Sequence, residues 1–285
     1  MNSSALREGT ARVLFSAAAA VSVVAVVLIC LFLFVNGVPA MAEIGLPEFL
    51  LGAIWRPANG LYGIFPMIVG SIYVTVGAVI VGVPAGLLCA IFLSRFAGTR
   101  VAMLLAPGVE LLAGIPSVVY GFFGLVIMVP IIRGLAPGHG PSLLVAALLL
   151  GIMILPTVIT VAQSALDAVP ARYYEGALAL GVDHEHAVFK VVAPAAASGI
   201  MAAIVLGLGR AIGETMAVIM VAGNQPVIPG SLLDGVRTLT ANIALEMGYA
   251  AGLHREALVA TGVVLFVLIL LITLFLNAAR KRGGR

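Results

Sequence analysis

Six apolar runs, at residues 13–35, 64–93, 101–132, 142–165, 195–221 and 257–279, constrain this chain more than any other feature. Each can cross a hydrocarbon core of roughly 30 Å as a helix, which takes about 20 residues. Lipid offers no partners to backbone amides and carbonyls, so each run must satisfy its own by coiling. Of 285 residues, 62% are hydrophobic and only 9% charged, with a mean hydropathy of +1.20. No stretch is left over for a soluble domain. The expectation is an all-α integral membrane protein with six transmembrane helices, a single domain over 1–285 with its core at 64–279.

The first run follows Arg7 and Arg12 and precedes "AMA" at 40–42, as a signal peptide would, but its 23 apolar residues exceed a signal h-region. Orientation is read from Lys and Arg in short loops. One side would hold Arg7, Arg12, Arg95, Arg100, Arg172, Lys190, Arg280, Lys281, Arg282 and Arg285; the other would hold Arg56, Arg133, Arg237 and Arg255. Ten against four predicts both termini in the cytoplasm. That asymmetry accounts for the pI near 9.1 without any nucleic acid. Cys30 and Cys89 lie in apolar spans without CxxC spacing, and His139, His184, His186 and His254 all read as loop residues, so no metal site is expected.

Two charges interrupt the fifth run, in "GLGRAIGETMAVIM". A charge at a helix centre in a membrane costs about 2.5 to 3.5 kcal/mol on insertion scales, so Arg210 and Glu214 need a reason to be there. At 100° per residue, Gly199, Ala203, Gly207, Arg210, Gly213, Glu214 and Ala217 share one face, with Met201, Ile204, Leu208, Ile212 and Ile219 opposite. Small residues allow close approach, which points the charged face inward and the isoleucine face to lipid. In the third run Glu110, Gly114, Ser117, Gly121 and Gly124 form one stripe if the helix continues through Pro116. Pro66, Pro84, Pro107, Pro116, Pro130 and Pro156 mark the second to fourth runs as interior, since broken helices survive in lipid only where neighbours or a wet cavity satisfy them. The first and last runs read as peripheral. Three long loops remain: 36–63 outside, with the only tryptophan; 166–194 inside; and 222–256 outside, whose "RTLTANIALEMGYAAGLHRE" predicts a short amphipathic surface helix.

The inner loop contains "EGALALGVDHEHAVFKVVAP". Glu175, Ala177, Gly181, Val191 and Pro194 fall in the spacing E-x-A-x3-G-x9-I-x-L-P, with Gly176, Val191 and Ala193 as mild departures. This resembles the cytoplasmic loop signature of ABC-importer permeases, and it predicts a helix, a turn at Gly181 and a second helix. No GxxxxGK[ST] loop occurs, so ATP and magnesium are expected on partner subunits and no cofactor on this chain. "LYGIFPMIVGSIYVT", "VELLAGIPSVVYGFFGLVIMVP" and "GLGRAIGETMAV" resemble, in order, the PstC-type permease of phosphate ABC importers. The short loop from Arg133 to Pro141 departs from it.

The resemblance implies the type I importer permease fold in a bacterial inner membrane. It implies as partners a homologous PstA-type permease, two ATPase subunits and an extracytoplasmic phosphate-binding protein. On this reading Arg210 lines the pathway, with Glu214 or Glu110 holding its guanidinium when no anion is present; the alternative is a static Arg210–Glu214 ion pair within one helix, with a purely structural role. Ser117 and Tyr120 join them as candidates, each with simple packing as the alternative. Sulfate- or molybdate-type permeases and a proton-coupled secondary transporter are the alternatives to phosphate import.

Overall fold

The structure is a computed structural model that describes residues 3–136 and 140–283; His139 and Arg285 lie outside the described residues. Helices and strands are numbered in chain order. α1 (Ser3–Ile44) overruns the first apolar run and continues through Pro39. It lies on the periphery against α14 (Leu253–Gly283), where Phe34 meets Phe266 edge-on at 6.0 Å. Gly37 allows this approach, because a Cβ there would sit 2.7 Å from Val263.

The segment 36–63, expected as a loop, is therefore largely ordered structure. After α1 come α2 (Leu46–Leu51) and a hairpin of β1 (Trp55–Arg56) and β2 (Leu61–Tyr62), in register Trp55 to Tyr62 and Arg56 to Leu61. Its turn closes at Gly60, whose φ of 73° suits a residue without a Cβ.

α3 (Phe65–Ile91) and α7 (Leu143–Asp167) form the central pair. Pro66 lies in the first turn of α3, where an amide would have no partner anyway, while Pro84 and Pro156 sit inside helices that continue past them. Gly77, Gly82 and Gly86 bring α3 against Ala147, the Gly151 carbonyl and Val158 of α7. Between membrane helices this closeness supplies the attraction, since lipid is as apolar as the side chains it replaces.

The third and fifth runs are not single helices. The third divides into α4 (Thr99–Gly114), α5 (Ser117–Phe123), a π-helical turn at Gly124–Met128, and α6 (Val129–Leu135). Only Ser117–Leu135 of it is long and apolar enough to span, and α4 buries no residue, so Pro107 does not mark an interior helix. The helical phase breaks at Pro116, so the stripe expected from Glu110 to Gly124 does not form: Glu110 is exposed and Gly114 faces open space, whereas Gly121 and Gly124 are packed.

The segment 166–194 folds as α8 (Ala171–Ala179), α9 (His184–Ala187), a π-helical turn at Val188–Val192 and α10 (Ala193–Ala195). The fifth run is α11 (Ala197–Gly213) and α12 (Met216–Val221). His184–Ala195 and α11 meet at a bend of 71° and count as one bent span, which brings the total to six. The isoleucine face of this run is not uniformly turned to lipid, since Ile212 is buried. α13 (Leu239–Glu246) takes up only part of the predicted surface helix and is not at the surface: Leu239, Thr240, Ala241, Asn242 and Glu246 are buried. His254, read as a loop residue, belongs to α14, and His184 and His186 to α9.

The start of α1 and the end of α14 lie at one end of the bundle. Ala40 and Met41 near the end of α1 pack with Phe49, Trp55, Leu239 and Leu258, which puts the hairpin, α13 and the start of α14 together at the opposite end. The arch from α8 to α10 packs with Leu93 and Leu166 at the terminal end.

Candidate functional site

The two broken runs meet. Proline disfavours the helical region for the residue before it, and Ile115 is extended at φ −69° and ψ 126°. Tyr120 answers the resulting loss, donating its hydroxyl to the Leu112 carbonyl across the break at 2.8 Å. In the fifth run no proline is present, yet Glu214 is extended at φ −70° and ψ 132°. Its own side chain closes the gap: Oε1 accepts the Thr215 amide at 3.1 Å and the Ala217 amide at 3.2 Å, capping α12. From α13 the Thr240 hydroxyl donates to the Glu214 carbonyl at 3.0 Å.

α5 and α12 run side by side beyond these breaks. A Cβ on Gly121 would meet Met220 and Ala217, and one on Gly124 would meet Val221, so the pair is parallel and both breaks sit at one level. Ser117 begins α5, half-buried, at that level.

Arg210 lies one turn before the break, half-buried. Its Nη1 donates to the Thr157 hydroxyl of α7 at 3.1 Å, and Tyr120 is within its electrostatic reach. Neither carboxylate expected to hold the guanidinium does so: Glu214 turns Oε1 to two backbone amides and Glu110 is exposed on α4. Among the described residues Arg210 forms no ion pair. The lower part of its small-residue face is used for packing, with Gly199 against Ala165 and Gly207 against Val158, while Gly209 and Gly213 face open space. A permanent cation held by one neutral hydroxyl beside open space can receive an oxyanion through its remaining N–H groups.

The arch has the form read from its sequence. Val182 N–H bonds to the Ala177 carbonyl at 3.2 Å and Gly181 N–H to Leu178 at 2.9 Å, a Schellman motif that needs Gly181 at φ +83°. Asp183 then caps α9 through the His186 amide at 2.8 Å. The His186 amide and ring hold the Asp183 carboxyl below the usual carboxylate range, so this cap is lost only as acidification passes that depressed value. Tyr174 Oη pairs with His184 Nδ1 at 2.8 Å, tying α8 to α9. Ala177 faces inward, whereas Glu175, Gly181 and Pro194 are exposed beside Leu178, Leu180 and Phe189.

Sequence reasoning missed two groups. Thr157 directly follows Pro156 in the fourth run, a polar residue at a helix-interrupting position, and that signal is in the sequence. The second group is at the hairpin end: Glu246 accepts from Arg237 Nη1 at 2.6 Å and Trp55 Nε1 at 2.9 Å and pairs with His254 Nε2 at 2.9 Å. Trp55 and Glu246 are 191 residues apart, so no local spacing announces them.

A bundle of apolar spans with two broken helices beside a cation that has no ion pair among the described residues defines a multi-pass membrane protein. Residues 82–282 match the family model for the binding-protein-dependent transport system inner membrane component, and the chain belongs to that family. It is 38% identical to the probable ABC transporter permease protein YqgH of Bacillus subtilis, over 97% of this chain and 93% of that one. It is 35% identical to the phosphate transport system permease protein PstC of Mesorhizobium japonicum, over 86% of this chain and 81% of the relative. The MetNI methionine ABC transporter, solved in inward-facing conformations, shares the fold at a TM-score of 0.59 and 20% identity, over 81% of this chain and all of that one. The fold is that of type I ABC importer permeases, and the protein is a multi-pass component of the inner membrane. Family membership decides against a proton-coupled secondary transporter.

Proposed function

We propose that this chain is the permease subunit of an ATP-driven importer of inorganic phosphate, forming half of the translocation pathway beside a homologous PstA-type permease. Two ATPase subunits, which carry the ATP and magnesium, dock on the arch around Glu175, Ala177, Gly181 and Pro194. An extracytoplasmic phosphate-binding protein docks at the hairpin end. The termini and the arch face the cytoplasm, in keeping with the ten-to-four distribution of Lys and Arg. The PstC relatives support phosphate as the substrate.

The observation that carries the reading is the state of Arg210: a guanidinium at the level of two broken helices, held by Thr157 alone and by no carboxylate among the described residues. Its planar fork matches the oxygens of a tetrahedral anion. One arginine and a few hydroxyls bind weakly enough for release, which conduction requires. Ser117 and Tyr120, at the other break, complete the lining; Glu214 acts by keeping the break open, and exposed Glu110 faces the partner permease.

The test is uptake by the assembled complex in proteoliposomes. Arg210→Gln abolishes phosphate uptake while the complex still assembles, and phosphate rather than sulfate or molybdate stimulates ATP hydrolysis by the unaltered complex. Stimulation by sulfate or molybdate alone would reassign the anion, and normal uptake by the variant would remove Arg210 from the pathway.

A further inference from the structure

The polar cluster at the hairpin end is enclosed, with side chains of Arg237, Glu246 and His254 only 15%, 10% and 16% exposed. Arg237 is fixed further by the Asn224 carbonyl at 2.9 Å and Asn242 Oδ1 at 3.1 Å. Breaking one partner out of such a cluster leaves a buried charge unmatched, so its members move together or not at all. Glu246 is the last residue of α13, and Thr240, near the first, holds the Glu214 carbonyl at the pathway break. The start of α13 is equally well keyed. Thr238 caps it through the Ala241 amide, its hydroxyl pairs with that of Thr240 at 3.0 Å, and Ser71 of α3 accepts the Leu239 amide at 2.9 Å. One short buried helix, roughly 12 Å long, thus connects the hairpin to the level of Arg210.

We propose that α13 is a rigid link that adjusts the break at Glu214 to the position of the outer hairpin, with Thr240 and Glu246 as positioning residues at its two ends and Trp55 as the contact that reads the hairpin. It rests on the proposed function in one respect, that a docking binding protein is what displaces the hairpin. The hairpin precedes the residues 82–282 matched by the family model, whereas α13 lies within them, so the link joins a peripheral segment to the shared core. When the hairpin shifts, Trp55 carries Glu246 with it. Thr240 then moves at the Glu214 carbonyl, and the amides of Thr215 and Ala217 loosen from Glu214 Oε1.

The experiment is hydrogen exchange on the purified complex containing the full chain, read in the peptide covering 213–218. Trp55→Phe, which removes the N–H donor and keeps the ring packing, and Thr240→Val each raise exchange there about fivefold, the weight of one net hydrogen bond. Thr240→Ser restores it. Thr261→Val, which removes a buried hydroxyl bonded to the Ala257 carbonyl within α14, leaves it unchanged. A Trp55→Phe effect confined to the hairpin and α13, with 213–218 at the wild-type level, overturns the link. So does Thr240→Ser exchanging as fast as Thr240→Val. Should Thr240→Val fail to assemble, Trp55→Phe and Thr240→Ser decide between these outcomes. Exchange needs no substrate, so a wild-type complex unstimulated by phosphate would sink the functional reading and leave this result to judge the link alone.

Discussion

At the scale of single residues, Arg210 and Glu214 are four apart and of opposite charge, yet they do not pair. A carboxylate that accepts two backbone amides at a helix start is better placed there than on a flexible guanidinium, because orphan amides inside a membrane have no water to fall back on. The two charges therefore have separate reasons to exist. Glu214 makes the break and Arg210 uses the space it creates. Glu214→Gln keeps an acceptor oxygen at the same reach and retains the break, whereas Glu214→Ala strips the cap and costs about 1 kcal/mol or more, as caps do elsewhere. Thermal unfolding of the purified complex checks this: Ala lowers the midpoint by several degrees and Gln leaves it near the wild type. Equal loss in both would mean that the charge of Glu214, not its acceptor, is what matters.

At the scale of elements, the arch behaves as its sequence foretells because its determinants are local. Gly181 at φ +83° is the hinge between α8 and α9, and a β-branched residue there is strained whatever space surrounds it. Gly181→Val therefore deforms the exposed surface of Leu178, Leu180 and Phe189, and the ATPase subunits no longer co-purify with the permease, while assembly of the two permeases persists. Retained ATPase with normal stimulated hydrolysis would take the arch out of coupling. The breaks were less legible. Pro116 announces the first, but nothing in "GRAIGETMA" forbids a continuous helix through 195–221. What opens it is a hydroxyl from Thr240 and a side chain folding back on its own backbone, contacts that no periodicity encodes. The burial of α13 is hidden for a related reason: Thr240, Asn242 and Glu246 resemble a wetted face, but each finds a partner inside the protein.

At the scale of the whole molecule, spans were legible from apolar length, while which side each end faces has to come from charge. The geometry fixes half of that question. α1 ends and α14 begins beside the hairpin, so the start of α1 and the end of α14 share the end that carries the arch. Of the four basic residues at the hairpin end, Arg237 is buried against Glu246 and contributes little to any surface field, which leaves Arg56, Arg133 and Arg255. The arch end keeps Arg95, Arg100, Arg172 and Lys190 besides the terminal charges. Translocating that end would carry the larger cationic load across the bilayer, which predicts that it stays in the cytoplasm. Single cysteines in a background lacking Cys30 and Cys89 report the outcome in intact cells. A cysteine replacing Asn59, exposed at the hairpin turn, reacts with an impermeant thiol reagent, and one replacing the exposed Gly181 reacts only after the membrane is opened. Labelling at position 181 in intact cells, with position 59 protected, would invert the protein in the membrane and place the ATPase surface on the wrong side, removing the coupling role of the arch along with the orientation.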